Sequence, residues 1–115
     1  MLNSQYAEFQ QDDQTEAREH ERLAIDHSIV LMECAEGEAR TPADVANAIL
    51  FASRLWTVLI EDLASPENGL PNDIRAQIIS IGIWILREIE GIRSGQNRSF
   101  ADIIMVSKAI KEGLL

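Results

Sequence analysis

The chain has 115 residues, 46% of them hydrophobic and 25% charged, which is typical of one soluble domain. Its net charge of −9, without a cluster of Lys and Arg, argues against direct binding of nucleic acid, because phosphates are bound by clustered cations. Cys34 is the only cysteine, so an internal disulfide is excluded. The polar N-terminus differs from a signal peptide, and apolar runs stop short of the ~20 residues of a membrane span. We therefore expect a cytoplasmic protein without a membrane span.

Helix one is predicted between Asp13 and Glu36. Asp13 opens a stretch with capping-box spacing, whereas the polar residues 1–12 are expected to form a frayed tail. Four residues share one face of this helix: Leu23, His27, Val30 and Cys34. We expect that face to pack against the rest of the protein, with Cys34 as a small buried residue. Gly37 suits the left-handed conformation that often ends a helix.

Helix two is predicted to begin at Thr41. Thr41 can cap the helix, Pro42 needs no amide hydrogen there, and Asp44 complements the positive end of the helix dipole. The main apolar face has helical spacing: Val45, Ile49, Ala52, Trp56, Leu59 and Leu63. A second apolar strip follows another side of the helix: Phe51, Leu55 and Val58. Only one narrow strip is polar throughout: Asn47, Arg54 and Glu61. Helix two is therefore expected to be central or to line a groove.

Helix three is predicted from Pro71, a first-turn proline, to about Ser94. Isoleucines line one face of it: Ile74, Ile78, Ile81, Ile85, Ile89 and Ile92. Gly82 costs about 1 kcal/mol against Ala in a helix interior, so the close approach of a neighbouring helix is the expected reason for it. Gly95 is expected to end the helix.

Helix four is predicted to open at Ser99, which has capping-box spacing to Asp102. Apolar residues again recur at helical spacing: Phe100, Ile103, Val106, Ile110 and Leu114. Lys108 and Lys111 complement the negative end of the helix dipole, and Gly113 is expected to stop the helix.

Four helices with short connections and no strand pattern predict an all-α fold. We expect a single domain, residues 1–115, built as a bundle of about four mostly antiparallel helices. Helices two and three should form the central hairpin, because they have the strongest apolar patterns and a short loop between them. Helix one, which carries most of the excess negative charge, is either packed in the bundle or a mobile arm.

No catalytic motif is found in the sequence, so we expect a protein that is not an enzyme and that needs no cofactor or metal. His20 and His27 lie two helical turns apart, about 10 Å along the axis, which is too far for one metal ion to bind both directly. The sequence has no glycine-rich phosphate loop and no nucleophile beside a partner base. A helical interaction protein is the class that remains.

The two tryptophans differ in their surroundings on the helical wheel. Trp56 lies at the centre of the main apolar face of helix two and is predicted to be core. Trp84 lies on the polar side of helix three, where it is either covered by helix one or four or exposed for a partner. Five residues are the candidate partner contacts: Trp84, Ser80, Phe51, Leu55 and Val58. A groove that helices two and three line with these residues would suit an amphipathic partner helix.

Two stretches of the sequence resemble the FlaF family of alphaproteobacterial flagellar regulators. They are LWTVLIEDLASPENGLP, at residues 55–71, and IRAQIISIGIWILREIE, at residues 74–90. The closing residues fit the family pattern as well: Ile104, Ala109, Ile110, Glu112, Gly113 and Leu114. The resemblance is strong over residues 40–115 and looser before them.

The resemblance implies a small cytoplasmic factor for flagellin production and export. In this family, FlaF is paired in function with FlbT, a regulator that represses flagellin translation, and acts as a flagellin chaperone analogous to the helical chaperone FliS. Flagellin is therefore the expected partner. The alternative is a regulatory adaptor that acts with a FlbT-like protein without binding flagellin, and a third reading is a homodimer that buries Trp84.

Overall fold

The computed structural model describes residues 2–96 and 99–113, with side chains from Thr15 onward. This part of the chain contains four α-helices and no strand: α1 (Leu2–Glu36), α2 (Pro42–Ala64), α3 (Asn72–Arg93) and α4 (Ala101–Gly113). Helix α1 packs against α2 and α4, and α2 packs against α3. The predicted all-α bundle with its α2–α3 hairpin is confirmed, and α1 is packed in the bundle.

The first helix begins earlier than predicted. Its backbone is helical from Leu2, so the predicted start at Asp13 is wrong, and Asp13 lies inside the helix. Residues 2–12 contain no Gly or Pro that would interrupt a helix, which explains the longer element. Fraying of residues 1–12 stays a prediction.

The face of α1 that is predicted to pack is exposed instead. Leu23 and Val30 are 56% and 55% exposed, and His27 and Cys34 are exposed as well. The prediction that Cys34 is buried is therefore wrong. The buried residues lie on a neighbouring face: Ile25, Ser28, Ile29, Met32 and Ala35. Both sets have helical spacing, so the position of the neighbouring helices decides which set is covered.

Helix α2 begins as predicted. Oγ1 of Thr41 accepts a hydrogen bond from the Asp44 amide at 3.1 Å, and the Asp44 carboxylate accepts one from the Thr41 amide at 2.9 Å. Pro42 occupies the first turn. Four residues of the predicted main face are buried: Ala52, Trp56, Leu59 and Leu63. Val45 and Ile49 of that face are partly buried, and Ala48 beside it is buried.

Helix α2 is unusually apolar. Of the described helices, it alone has the length and mean hydropathy (1.4) of a membrane-crossing helix, a criterion that core helices of soluble proteins also meet. It packs between α1 and α3, yet only 22% of its most apolar stretch is buried. Much of the apolar surface of α2 is therefore left partly or fully exposed.

Helices α2 and α3 are in close contact at Gly82. A Cβ at this position would lie 2.9 Å from Cε3 of Trp56 and 3.0 Å from the side chain of Ile60, so the predicted reason for this glycine is confirmed. Gly95 follows α3 with a φ of 82°, as predicted. No other described residue has a positive φ, so the left-handed conformation predicted for Gly37 is wrong.

Helix α4 is held against α1 by polar contacts as well as by its apolar face. The Glu36 carboxylate accepts hydrogen bonds from the Phe100 amide and, at 3.1 Å, from the Ser99 hydroxyl. Nζ of Lys111 donates to the Asp26 carboxylate at 2.7 Å. The start of α4 is thus capped by a side chain of α1, which the sequence alone does not predict. Three residues of the predicted apolar face are buried and the last lies outside the described residues: Phe100, Ile103 and Ile110, then Leu114.

The half-buried carboxyl group of Glu21 lies where α1 passes the end of α2. It lines a cleft of about 180 Å³ together with Arg18, Asp62 and the loop residues 67–69. Burial raises the pKa of Glu21 above its ordinary value of 4.5, and the Asp62 carboxylate raises it further, whereas Arg18 lowers it. The ionised form of Glu21 therefore disfavours the folded state at neutral pH.

The close contact at Gly82 predicts the effect of adding a methyl group there. Gly82→Ala gains helix propensity, worth about 1 kcal/mol, but the methyl group would press on the fully buried Trp56. We expect the cost of overpacking to exceed the gain in helix propensity, so that the free energy of unfolding falls by about 1 kcal/mol. Gly113→Ala is the control, because its methyl group would meet nothing within 4 Å. Urea unfolding measures both variants, and an unchanged midpoint for Gly82→Ala would contradict the close packing.

The raised pKa of Glu21 predicts a pH-dependent stability. Because the folded-state pKa is raised, the stabilisation from this group is fully present below pH 4.5 and is lost as the pH rises through the folded-state value. Glu21→Gln, which stays neutral, should therefore raise the melting temperature at neutral pH and lose that advantage in acid. Glu16→Gln, at an exposed position of the same helix, is the control. Equal thermal shifts for the two variants at neutral pH would contradict the cost assigned to Glu21.

Candidate functional site

The candidate residues of α3 lie at the edge of the core. Trp84 is half-buried and packs against the buried cluster, and Ser80 is exposed. Trp56 is fully buried, as predicted. Trp84 therefore falls between the two alternatives, because part of its ring is covered by the core and part remains accessible.

The candidate residues of α2 lie on the side that faces α1. The rings of Phe51 and His27 are in edge-to-face contact, with centroids 4.6 Å apart and an interplanar angle of 83°. Leu55 is half-buried and packs against the core, while Val58 is 61% exposed. The strip thus passes from partly covered to open along the helix.

The two sets of candidates do not share a groove. Ile60 of α2 lies beside Gly82 of α3. Phe51 precedes Ile60 by nine residues, which is about 180° around a helix, so Phe51 points away from α3. A groove between α2 and α3 therefore cannot be lined by Phe51 and Trp84 together, and the structure separates the candidates of α2 from those of α3.

A cleft of about 300 Å³ opens between α1 and α2 beside the contact of Phe51 with His27. Six residues line it: His27, Leu31, Asn47, Leu50, Phe51 and Arg54. The four residues from α2 are spaced three, one and three positions apart, so they share one face of that helix. We call this feature the α1–α2 cleft.

Most of the exposed large hydrophobic side chains belong to the two helices that form this cleft. In the described part of the chain, six large hydrophobic side chains are exposed. Four of them lie on α1 and α2 and together are called the α1–α2 apolar surface: Leu23, Val30, Leu50 and Val58, which are 50–61% exposed. The other two are Ile83 on α3 and Met105 on α4. Leu23 and Val30 lie one turn before and one turn after His27, and Val58 lies two turns after Phe51, so these side chains share the sides of α1 and α2 that meet at the cleft. Exposed apolar residues that share one surface indicate an interaction site, whereas single ones are ordinary.

Of the six cleft residues only Phe51 is a predicted contact, and Leu50 is the large apolar residue of α2 among those that sequence reasoning misses. It lies on the same side of α2 as Asn47 and Arg54, so the helical wheel hides it within the polar strip. The adjacent apolar pair of Leu50 and Phe51 is the signal that could have found it. That signal becomes specific only when the position of α1 is known.

The described residues include no group of three His, Cys, Asp or Glu side chains that could hold a metal ion. His20 is exposed, and His27 contacts Phe51. The thiol of Cys34 is exposed, seven residues after His27 and thus on nearly the same side of α1.

The sequence stretches that resemble FlaF proteins build the connection between α2 and α3. Nη1 of Arg75 donates hydrogen bonds to the carbonyl oxygens of Leu63 and Ser65 at 3.2 and 2.7 Å. Nδ2 of Asn68 donates to the Asp62 carboxylate at 3.0 Å. These polar residues fix the end of α2 and the turn of the hairpin.

Comparison with known proteins agrees with this resemblance. The family model of the flagellar protein FlaF matches residues 2–114, which is nearly the whole chain. Searches of curated proteins and of solved structures found no match. The chain therefore belongs to the FlaF family of flagellar proteins, and its role lies in flagellar biogenesis or its regulation.

Proposed function

We propose that this protein binds flagellin in the cytoplasm and keeps it unpolymerised until export, as a chaperone without enzymatic activity. Membership of the FlaF family supports a role at the flagellum. The observation that carries the proposal is the α1–α2 apolar surface, which two helices form and which is open within the described part of the chain. A surface of this kind suits an amphipathic partner helix.

The chemistry of flagellin fits such a surface. The ends of flagellin are amphipathic helices that form the filament core, so a protein that covers their apolar faces also prevents polymerisation. Burying a Leu or Val side chain is worth about 1.5–3 kcal/mol, and the four side chains here are about half exposed. Covering all four then contributes about 3–6 kcal/mol before the cost of association is subtracted.

Flagellin binding should depend on the α1–α2 apolar surface. The double substitution Leu50→Ser, Val58→Ser should weaken binding of purified flagellin at least about tenfold, because about 1.4 kcal/mol of lost burial corresponds to a factor of ten. The control is Met105→Ser, at an exposed position of α4, and it should bind like the wild type. Titration calorimetry measures the affinities, and circular dichroism verifies that both variants are folded.

Two results would contradict this proposal. Absence of any binding between the wild type and flagellin would overturn the chaperone function. An equal loss of affinity in the double variant and in Met105→Ser would show that the α1–α2 apolar surface has no special part in binding.

Trp84 and Ser80 stay candidate contacts for the same partner. Trp84→Ala should lower stability, because Trp84 packs against the core, so a loss of binding in this variant has two explanations. Ser80→Arg adds bulk one helical turn from Trp84, at an exposed position, and leaves the core intact. If Trp84 is an anchor, both variants lose flagellin. Normal binding by Ser80→Arg would show that this part of α3 does not contact flagellin.

The regulatory alternative is tested with the same material. An adaptor should retain a FlbT-like protein, and not flagellin, in pull-downs at high salt with nuclease present. Retention of flagellin by the wild type under these conditions favours the chaperone, since neither RNA nor weak ionic contacts then bridge the partners.

A further inference from the structure

We infer that the α1–α2 cleft takes a large apolar side chain from a flagellin helix, and that Arg54 binds a carboxylate next to that side chain. This inference rests on the proposed function, which supplies the partner. It adds the chemistry of the segment that binds and the place where it lies.

The shape of the cleft fits side chains presented by a helix. Its volume of about 300 Å³ is at the lower end for pockets that hold small ligands, so it suits one or two side chains. Leu31 and Leu50 provide apolar walls, and the ring of Phe51 is held by its edge-to-face contact with His27. An apolar side chain of the partner would be held in a preformed site, which lowers the cost of binding.

The length of the groove favours a helix as the occupant. Residues that line or flank it run along α2 from Asn47 to Val58, which is about 16 Å of helix. On the other side, α1 contributes residues from Leu23 to Leu31. A third helix can pack along an open groove between two helices.

The charge in the cleft is positive although the protein is acidic. Arg54 is exposed at the rim, and no ion pair or hydrogen bond of its guanidinium occurs within the described part of the chain. Its neighbours one turn away on α2 are uncharged: Leu50, Phe51, Thr57 and Val58. The next acid on its side of the helix, Glu61, is seven residues away, about 10 Å along the axis. A partner carboxylate would therefore meet a cation that is free to bind it in a bidentate manner.

The same charge disfavours a second copy of this chain as the occupant. In a two-fold dimer the same surface patch of both copies meets itself. A dimer formed through the cleft would therefore bring two Arg54 side chains together beside the axis, without a carboxylate from the cleft between them. A different partner with an acidic residue beside its apolar face meets no such repulsion.

The experiment compares charge variants at two exposed arginines. Arg54→Glu should weaken the binding of purified flagellin at least about tenfold, and Arg54→Gln should weaken it less. Arg87→Glu, on α3, is the matched control and should bind within a factor of about two of the wild type. Added salt should weaken the wild type more than Arg54→Gln, because only the wild type has the charge pair to be screened.

The rate at which Cys34 is alkylated reports where flagellin binds. This single cysteine is exposed on the cleft side of α1, so a flagellin helix in the cleft should slow its alkylation by a bulky maleimide. The control carries Cys34→Ser together with Arg87→Cys, and its alkylation should be unaffected by flagellin. Protection of Cys34 together with the effect of Arg54→Glu supports the inference.

The outcomes separate this inference from the proposed function. If the wild type binds flagellin but Arg54→Glu binds equally well, or Cys34 is not protected, the cleft is not the site, while the chaperone function stands. If the wild type does not bind flagellin, both are overturned. Concentration-dependent dimers that are abolished by Arg54→Glu would also overturn the inference about the cleft, since the cleft would then hold a second copy of the chain.

Discussion

The contact between the indole of Trp56 and the backbone of Gly82 determines how the other helices can be arranged. Because Gly82 has no side chain, α3 lies against the ring of Trp56 and the side chain of Ile60. This contact fixes the rotation of α2 about its own axis. The opposite side of α2, which carries Phe51, must then face away from α3 and towards α1. The α1–α2 cleft is therefore a consequence of how α2 and α3 pack.

Helix α1 contacts both α2 and α4, and acidic residues of α1 face each of these neighbours. Asp26 binds Lys111 of α4 and Glu36 binds the residues just before α4, so part of the negative charge of this helix has a structural role. Glu21 lies in a half-buried position against the end of α2 and carries a raised pKa. The side of α1 that contributes His27 to the cleft also carries Leu23 and Val30, which are apolar and exposed. An acidic protein thus presents a surface on which apolar contact and one arginine dominate.

The elements of this fold are predictable from sequence because local signals agree with one another. Thr41, Pro42 and Asp44 form the predicted cap, and Gly95 and Gly82 have the predicted reasons. The errors concern α1, where two apolar faces have equal periodicity and only tertiary packing selects one. The candidate site is only partly predictable from the sequence, because it too depends on tertiary packing. Phe51 is partly covered and Val58 is exposed. Their separation from Trp84 depends on the rotation of α2 about its axis, which the apolar periodicity of the sequence does not determine.

The cap that Glu36 provides for α4 has a consequence for how the chain folds. It joins residues 64 positions apart, and the pair of Asp26 with Lys111 joins residues 85 positions apart. During synthesis, the contacts between successive helices can form early, whereas α4 must close a long loop to reach α1. Until α4 has left the ribosome, the side of α1 that it covers stays in water. A nascent or truncated chain therefore presents a second apolar face on α1, and it is more prone to aggregate than the finished bundle.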